Sequence, residues 1–289
     1  SAPTATSSIA AITTDSGASS SDFVTSDNTL AITGANTVLG AGEAVQLSLD
    51  GGATWVAVTP VTATSWSYNN TGAVMADGSY SFQTRVIDAA GNTGTVSSQA
   101  VVIDTAVPNA TSTITAISTD SAAAGDFVTN DATLLISGTN TALGSGEAVQ
   151  VSLDGGLTWM ATTPVTATSW SFDNTGAVLA DGPYSFQTRV IDTAGLTGPV
   201  ASQAVRIDTG VPTAPGLTAT DDQAPVIGAI VNGATTNDNQ PTLGGAAEPG
   251  AAITITIDGT PVTVTADAAG NWSYTPPALA DGVHSVSVT

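Results

Sequence analysis

Residues 76–94 read ADGSYSFQTRVIDAAGNTG, and residues 180–198 repeat them as ADGPYSFQTRVIDTAGLTG. From the tyrosine onwards apolar and polar side chains largely alternate, which is the pattern of a β-strand with one buried face. Asp, Gly and Tyr at the start of such a strand are typical of a corner in which the tyrosine hydroxyl bonds back to the main chain. We therefore predict this bond for Tyr80 and Tyr184, and expect His284 to take the same position in ADGVHSV (280–286).

The chain repeats itself with a period of about 104 residues, as the pair Trp55 and Trp159 shows. A third, divergent copy keeps the landmarks TNDNQPTLGG (236–245) and LADG (279–282). Aligned on ADG, its last residue corresponds to Arg189, so this copy is expected to lack its final strand and to belong to a longer array. The repeat predicts three domains, with bounds 1–106, 107–211 and 212–289.

Short alternating segments separated by turns predict the strands of one copy. They are TLAITG (29–34), a hairpin AVQLSLDGGATWVAV (44–58) turning at Asp50-Gly51, TSWSYN (64–69), SYSFQTRVID (79–88) and SQAVVID (98–104). About a hundred residues and seven strands match an immunoglobulin-like sandwich. The expected fold is therefore all-β, with tandem immunoglobulin-like β-sandwich domains in an extended array.

The charge balance limits the partners. The chain has 24 acidic residues against three arginines, with no lysine and no cysteine, for a net charge of −21. Salt bridges cannot balance so many carboxylates. A strongly negative chain repels nucleic acid and anionic lipid, and no apolar run is long enough to span a membrane, so we expect neither nucleic-acid binding nor membrane insertion.

The topology of the sandwich predicts where the acids meet. The strands are lettered A to G in chain order, with TLAITG as strand B, SYSFQTRVID as strand F and SQAVVID as strand G. Loops AB and EF lie at one end of a domain with the exit of strand G, while loops BC and FG lie at the other end. The junction of copies one and two should therefore gather six acids, namely Asp15, Asp22, Asp27, Asp104, Glu147 and Asp192. So many carboxylates cannot all remain ionised without a cation, and a hard oxygen-seeking ion such as Ca²⁺ fits them.

The same reasoning predicts two further groups of acids. The second junction should gather Asp120, Asp126, Asp131, Asp208 and Glu248. At the free end of copy one, Asp88 and Glu43 face no neighbour, and we expect that calcium site to be weak or empty.

Simpler roles compete with these. The acidic loops could merely be solvated, and the acids of the Asp-Gly turns and ADG corners have local hydrogen-bonding roles. The five tryptophans (Trp55, Trp66, Trp159, Trp170 and Trp272) could stack on sugars, but their strand context favours core packing or hairpin cover. With one histidine and no recurring nucleophile–base pair, we expect no enzyme activity.

The chain resembles the bacterial Ig-like repeats of giant type I-secreted adhesins (SiiE-like and Bap-like). The resemblance rests on TDSGASSSDFVTSDNTL (14–30), SLDGG (48–52), VVIDTAVP (101–108) and the stretch 76–94. It implies calcium ligands at Asp15, Asp22, Asp27, Asp104 and Asp192. Copy two departs from the pattern at Leu196, where copy one has Asn92, which puts any ligand role for that asparagine in doubt.

The resemblance implies calcium-binding modules of a secreted or cell-surface adhesin. Interdomain calcium would stiffen a rod between neighbouring repeats, and another region would bind a host-cell glycan or receptor, or biofilm matrix. An alternative is a set of carbohydrate-binding modules from a secreted polysaccharide-active enzyme. A weaker alternative, an ice-binding repeat, is suggested by threonines that alternate along the strands.

Overall fold

The computed structural model describes residues 1–17, 19–121 and 123–289. These residues form β-strands and no helix, which confirms the all-β prediction. Accordingly, none of them belongs to a helix that could cross a membrane. The chain divides into two compact units, Ser1–Thr209 and Gly210–Thr289, which are described separately below.

The first repeat consists of nine strands in two sheets. The strands are β1 (Ser7–Ile12), β2 (Val24–Thr25), β3 (Ala31–Asn36), β4 (Ala44–Ser48), β5 (Val56–Ala57), β6 (Thr59–Thr62), β7 (Ser65–Asn69), β8 (Gly78–Ile87) and β9 (Ser97–Ile103). One sheet has the order β1-β3-β7-β6 and the other β2-β9-β8-β4-β5. All pairs are antiparallel except β2 with β9.

The second repeat has the same two sheets. Its strands are β10 (Ser112–Ile117), β11 (Val128–Thr129), β12 (Leu135–Asn140), β13 (Ala148–Ser152), β14 (Met160–Ala161), β15 (Thr163–Thr166), β16 (Ser169–Asp173), β17 (Gly182–Ile191) and β18 (Ala201–Ile207). The orders are β10-β12-β16-β15 and β11-β18-β17-β13-β14. This pair of sheets is the predicted immunoglobulin-like sandwich.

The core of each sandwich forms around a tryptophan between the two sheets. Trp66 and Trp170 are 1% and 2% exposed, and Phe82 and Phe186 from the facing sheet are completely buried. The neighbouring strand makes room with a glycine, because a Cβ at Gly34 or Gly138 would overlap the indole. Core packing was the role that the sequence favoured for these two tryptophans.

The structure corrects two details of the predicted strands. The stretch between β1 and β3 contains a short strand, β2, which pairs in parallel with β9. The predicted hairpin forms, since β4 and β5 pair antiparallel, but a loop of residues 49–55 joins them instead of a tight turn at Asp50-Gly51. The Asp50 carboxylate organises it by accepting bonds from the main chain and hydroxyl of Thr54 and from the Ser48 hydroxyl.

The predicted tyrosine corner is confirmed in both repeats. The hydroxyl of Tyr80 donates to the carbonyl of Ala76 at 2.7 Å, and that of Tyr184 to Ala180 at 2.9 Å. The adjacent Asp77 carboxylate accepts bonds from the amide and hydroxyl of Thr105. This corner therefore holds the chain just after Asp104, where the first repeat ends.

The second unit holds a smaller sandwich. Its strands are β19 (Thr218–Asp221), β20 (Gly228–Ile230), β21 (Thr242–Ala246), β22 (Ala252–Ile257), β23 (Thr260–Thr265), β24 (Asn271–Tyr274) and β25 (Val286–Val288). The sheets have the orders β20-β19-β21-β24 and β23-β22-β25. Trp272, 4% exposed, packs between them with Leu243 and Ile255.

His284 replaces the corner tyrosine of this unit and adds an acidic partner. Its Nε2 lies 2.7 Å from the carbonyl oxygen of Ala280, and its Nδ1 lies 2.6 Å from Oδ2 of Asp258. Both neighbours are acceptors, so the two bonds form together only when the ring carries both protons. The hydrogen bond to Asp258 raises the pKa of His284 above its ordinary value of 6.5.

Substitution of Gly138 by alanine should destabilise the second repeat. The new Cβ would overlap the indole of Trp170 and the carbonyl of Thr113, and overpacking of this kind costs about 1–3 kcal/mol. Thermal unfolding should show a lower Tm. Gly176→Ala is the matched control, because nothing lies within 4 Å of a Cβ there; an equal loss in both variants would contradict the packing argument.

The second unit should lose stability as the pH rises through the pKa of His284. Since the folded-state pKa is raised, the stabilising contribution is complete below the unfolded-state pKa and disappears above the folded-state one. NMR titration of this single histidine should give a pKa above 6.5, falling towards 6.5 in Asp258→Asn. His284→Tyr should remove this pH dependence. A histidine pKa that ignores Asp258→Asn would refute the assignment.

Candidate functional site: the junction of the first two repeats

Two loops touch where the first repeat meets the second. The loop after β1 carries Ser16, whose hydroxyl donates to the carbonyl of Ala194 at 2.8 Å, and Ala194 is completely buried. Gly17 and Gly195 let the two main chains approach closely, because a Cβ at either position would overlap a carbonyl oxygen of the opposite loop. Ala194, in the loop between β17 and β18 (the FG loop of the second repeat), is thus covered by the first repeat.

A cavity of about 320 Å³ lies beside this contact. It brings together three of the acids that the sequence placed at this junction. Asp104 follows β9 of the first repeat, Glu147 precedes β13, and Asp192 follows β17. The remaining lining residues are Ala106, Val107, Asn109, Ala110, Ala142, Gly144 and Ser145.

Asp192 is the carboxylate with the least satisfied environment in this cavity. Its Oδ1 accepts a bond from the main-chain amide of Leu196 at 2.9 Å. Its Oδ2 is buried and has no hydrogen-bond partner among the described residues. Burial raises the pKa of Asp192, and the charge of nearby Asp104 raises it further. A buried carboxylate oxygen without a donor is costly, and a cation would relieve that cost.

Asp104 and Glu147 each use one carboxylate oxygen for a local bond. Oδ1 of Asp104 accepts from the amide of Ala106 at 3.1 Å, and Oε2 of Glu147 accepts from the amide of Gly144 at 2.7 Å. The bonds found in the described residues leave the second oxygen of each unused. Both bonds orient the side chains at the cavity wall.

The three AB-loop aspartates do not line this cavity. Asp15 accepts from the amide of Phe23 through Oδ2, while its Oδ1 is buried without a partner in the described part of the chain. Asp22 accepts from the amide of Val24. Asp27 accepts from the amide and hydroxyl of Thr29. These aspartates shape the loop that carries Ser16 and Gly17.

Asp120 and Asp126, two of the acids predicted for the second junction, have local hydrogen-bond partners in the second repeat. Asp120 accepts from the amide of Gly125, and Asp126 from the amides of Val128 and Ala123. Main-chain hydrogen bonds lower the pKa of Asp126, with Val128 as the main donor. Oδ1 of Asp120 is buried and, within residues 1–17, 19–121 and 123–289, has no partner, as in Asp15.

The remaining acids of that set differ in their surroundings. Asp131 accepts from the amide and hydroxyl of Thr133, and the amide bond is the main cause of its lowered pKa. Asp208 pairs with Arg206 at 3.2 Å, with both side chains exposed. Glu248 belongs to the second unit and is exposed.

At the far end of the first repeat, the acids are satisfied by their own loops. Asp88 accepts from the amides of Ala90 and Asn92 and from the side-chain amide of Asn92. The bonds from Asn92 lower the pKa of Asp88. Glu43 accepts from the amide of Gly40.

Sequence reasoning missed a group of acids in the second unit. Asp221 and Asp238 are 4% and 5% exposed, and Asp238 accepts a bond from the amide of Asp222. The signal was present, because TNDNQP (236–241) parallels the TSDNT stretch around Asp27 in the first repeat. The divergence between the copies concealed it.

The donor set fits a hard cation. Its carboxylate oxygens are the ligand type that Ca²⁺ takes, and one of them is buried without a partner. Within the described residues, however, no three Asp, Glu, His or Cys side chains are close enough together to form a ready-made metal cluster. The acids of the cavity would therefore need water, main-chain oxygens or a small closure to complete a coordination sphere.

The two outer tryptophans are engaged by their own repeats. The guanidinium of Arg85 lies 4.0 Å from the ring centroid of Trp55, and Arg189 lies at the same distance from Trp159. The indole of Trp55 also donates to the carbonyl of Gly52. These contacts support the hairpin-cover role that the sequence favoured.

The sequence profile of the bacterial Ig-like domain family matches residues 2–105, 107–209 and 216–289. No curated protein is similar enough to the chain to count as a relative.

Among solved structures, the fibronectin(III)-like modules of Clostridium thermocellum CbhA are 15% identical, with a TM-score of 0.41, covering 70% of this chain and 94% of that one. A 1.5-MDa bacterial ice-binding adhesin is 20% identical, with a TM-score of 0.32, covering 96% and 87%. A Ca²⁺-stabilized, ice-binding adhesin of an Antarctic bacterium is 21% identical, with a TM-score of 0.33, covering 100% and 72%. At these TM-scores the likenesses carry no argument about function.

In calcium-free solution at neutral pH, Asp192→Asn should raise the Tm. The raised pKa of Asp192 means that its ionised form destabilises the folded state, and the amide removes that charge. The gain should shrink as the pH falls through the folded-state pKa, because wild-type Asp192 is then protonated.

Asp88→Asn is the matched control. The pKa of Asp88 is lowered by its donors, so its ionised form stabilises the folded state and the substitution should lower the Tm at neutral pH. A fall in Tm for both variants would show that Asp192 is not the strained carboxylate of the pair.

Proposed function

Because the chain belongs to the bacterial Ig-like domain family, we propose that its repeats are calcium-binding structural modules of a bacterial adhesin, secreted or held at the cell surface. Calcium at the junction of the first two repeats stiffens their connection. The modules act as a stalk and not as an enzyme. Attachment to a host-cell glycan, receptor or biofilm matrix occurs through another region of the adhesin.

One observation carries the calcium proposal. Oδ2 of Asp192 is buried without a donor among the described residues, and Asp192 lines a cavity together with Asp104 and Glu147. The chain has three basic residues for its 24 acids, so it cannot supply the missing charge from its own side chains. A divalent cation from the medium supplies that charge with oxygen coordination.

The origin of the three acids explains how binding affects the junction. Asp104 comes from the end of the first repeat, whereas Glu147 and Asp192 come from loops of the second. An ion held by both sides replaces their mutual repulsion with shared coordination. Extracellular calcium modules bind with a Kd of about 10⁻⁴ to 10⁻³ M, so millimolar calcium occupies such a site and stabilises the folded state by mass action.

A chelator removes bound calcium, so comparing thermal unfolding with calcium and with chelator tests the proposal directly. The wild-type chain should have a higher Tm in millimolar calcium than in excess chelator. In Asp104→Asn the calcium-dependent rise should be much smaller, because the ion loses a ligand and a charge. Small-angle X-ray scattering should show a narrower distribution of shapes with calcium.

Asp173→Asn is the control for charge removal. The first repeat has Asn69 at the corresponding position, where it accepts the same two bonds from a threonine that Asp173 accepts. This variant should keep the full calcium effect. Identical wild-type melting curves with and without calcium would reject the proposal.

A further inference from the structure

The FG loop has the same main-chain geometry in both repeats. The amide of Asp88 donates to the carbonyl of Asn92 at 3.0 Å, and the amide of Asp192 donates to that of Leu196 at 3.0 Å. The return bond to Oδ1 of the aspartate is 2.9 Å in each repeat. The two loops therefore form an internal comparison in which the side chain at the fifth position differs.

That side chain decides whether the second carboxylate oxygen has a partner. In the first repeat the side-chain amide of Asn92 donates to Oδ2 of Asp88 at 2.9 Å. The side chain of Leu196 has no donor to offer, and Oδ2 of Asp192 is buried without a partner among the described residues. The first loop thus satisfies both carboxylate oxygens of its aspartate, whereas the second loop leaves one carboxylate oxygen that needs a partner from outside the loop.

The surroundings of Asp192 also favour a cation. Asp192 lines the cavity with Asp104 and Glu147, so its unpartnered oxygen lies in a field of negative charge. A neutral amide would satisfy the hydrogen bond but would not offset those charges. A cation does both.

We propose that Leu196 is the specificity-determining residue of the junction site, because it leaves Oδ2 of Asp192 free for a cation where asparagine would occupy it. This inference rests on the proposed calcium function. It assigns the loop of Asp88 and Asn92 in the first repeat to a self-satisfied state, and the loop of Asp192 and Leu196 in the second repeat to a cation-binding state. Leu196, a hydrophobic residue where the first repeat has Asn92, thus keeps the carboxylate of Asp192 available for the ion.

Leu196→Asn in the full chain tests the inference with two readouts of opposite sign. In chelator the new amide should satisfy Oδ2 of Asp192 and raise the Tm. Calcium affinity at the junction, measured by calorimetric titration, should fall about tenfold, since the ion must displace a hydrogen bond to a charged group. The calcium-dependent rise in Tm should shrink accordingly.

Two control variants separate the amide from other changes at this position. Leu196→Ala removes the side chain without adding a donor, and should leave the calcium affinity within about threefold of wild type. Asn92→Leu should lower the Tm in chelator without weakening calcium binding at the junction. Equal loss of affinity in Leu196→Ala and Leu196→Asn would overturn the inference, because packing would then explain both.

The two proposals fail in different ways. If the wild type binds calcium and Leu196→Asn binds it equally well, the inference is wrong and the calcium function stands. If the wild type shows no calcium binding by titration and no calcium effect on Tm, the proposed function is wrong and the inference falls with it.

Discussion

This chain cannot neutralise its own carboxylates. With three arginines for 24 acids, each acidic side chain must find hydrogen-bond donors, reach water or bind a cation. Most aspartates take the first route, and the loops fold around them: Asp50 organises the β4–β5 loop and Asp77 holds the end of the first repeat. The architecture of the loops follows from this shortage of positive charge.

At the junction of the first two repeats, Oδ2 of Asp192 has neither a hydrogen-bond donor among the described residues nor access to water. The contact between the loops of Ser16 and Ala194 buries Ala194 completely. Because Leu196 stands where the first repeat has Asn92, Oδ2 of Asp192 also lacks a side-chain donor among the described residues. Under the proposed calcium function, a bound ion would satisfy this oxygen and would couple the stiffness of the junction to the ionic medium. The glycines of both loops permit this approach.

Much of the fold could be predicted because it is encoded locally. The alternating stretch after Tyr80 and the ADG corner depend on near neighbours in sequence, and the 104-residue period is visible as two similar segments of the chain. The structure has the strand, the corner and two sandwiches of the same topology. The strand β2 could not be recognised, because a two-residue parallel pair with β9 has no periodicity of its own. The buried Asp221 and Asp238 were missed for a related reason, since their burial depends on strands that lie far apart in the chain.

The sequence by itself determined the strands, the repeat and the excess of acids, because alternation, turn chemistry and charge count are properties of short segments and of composition. It also placed Asp104, Glu147 and Asp192 at one end of their domains, since sandwich topology follows from strand order. Only the tertiary structure decided that Asp192 has an unpartnered oxygen while Asp88 has none. Hydrogen-bond satisfaction depends on how the loop places the side chain of its fifth residue and on burial, and neither is settled before the chain has folded.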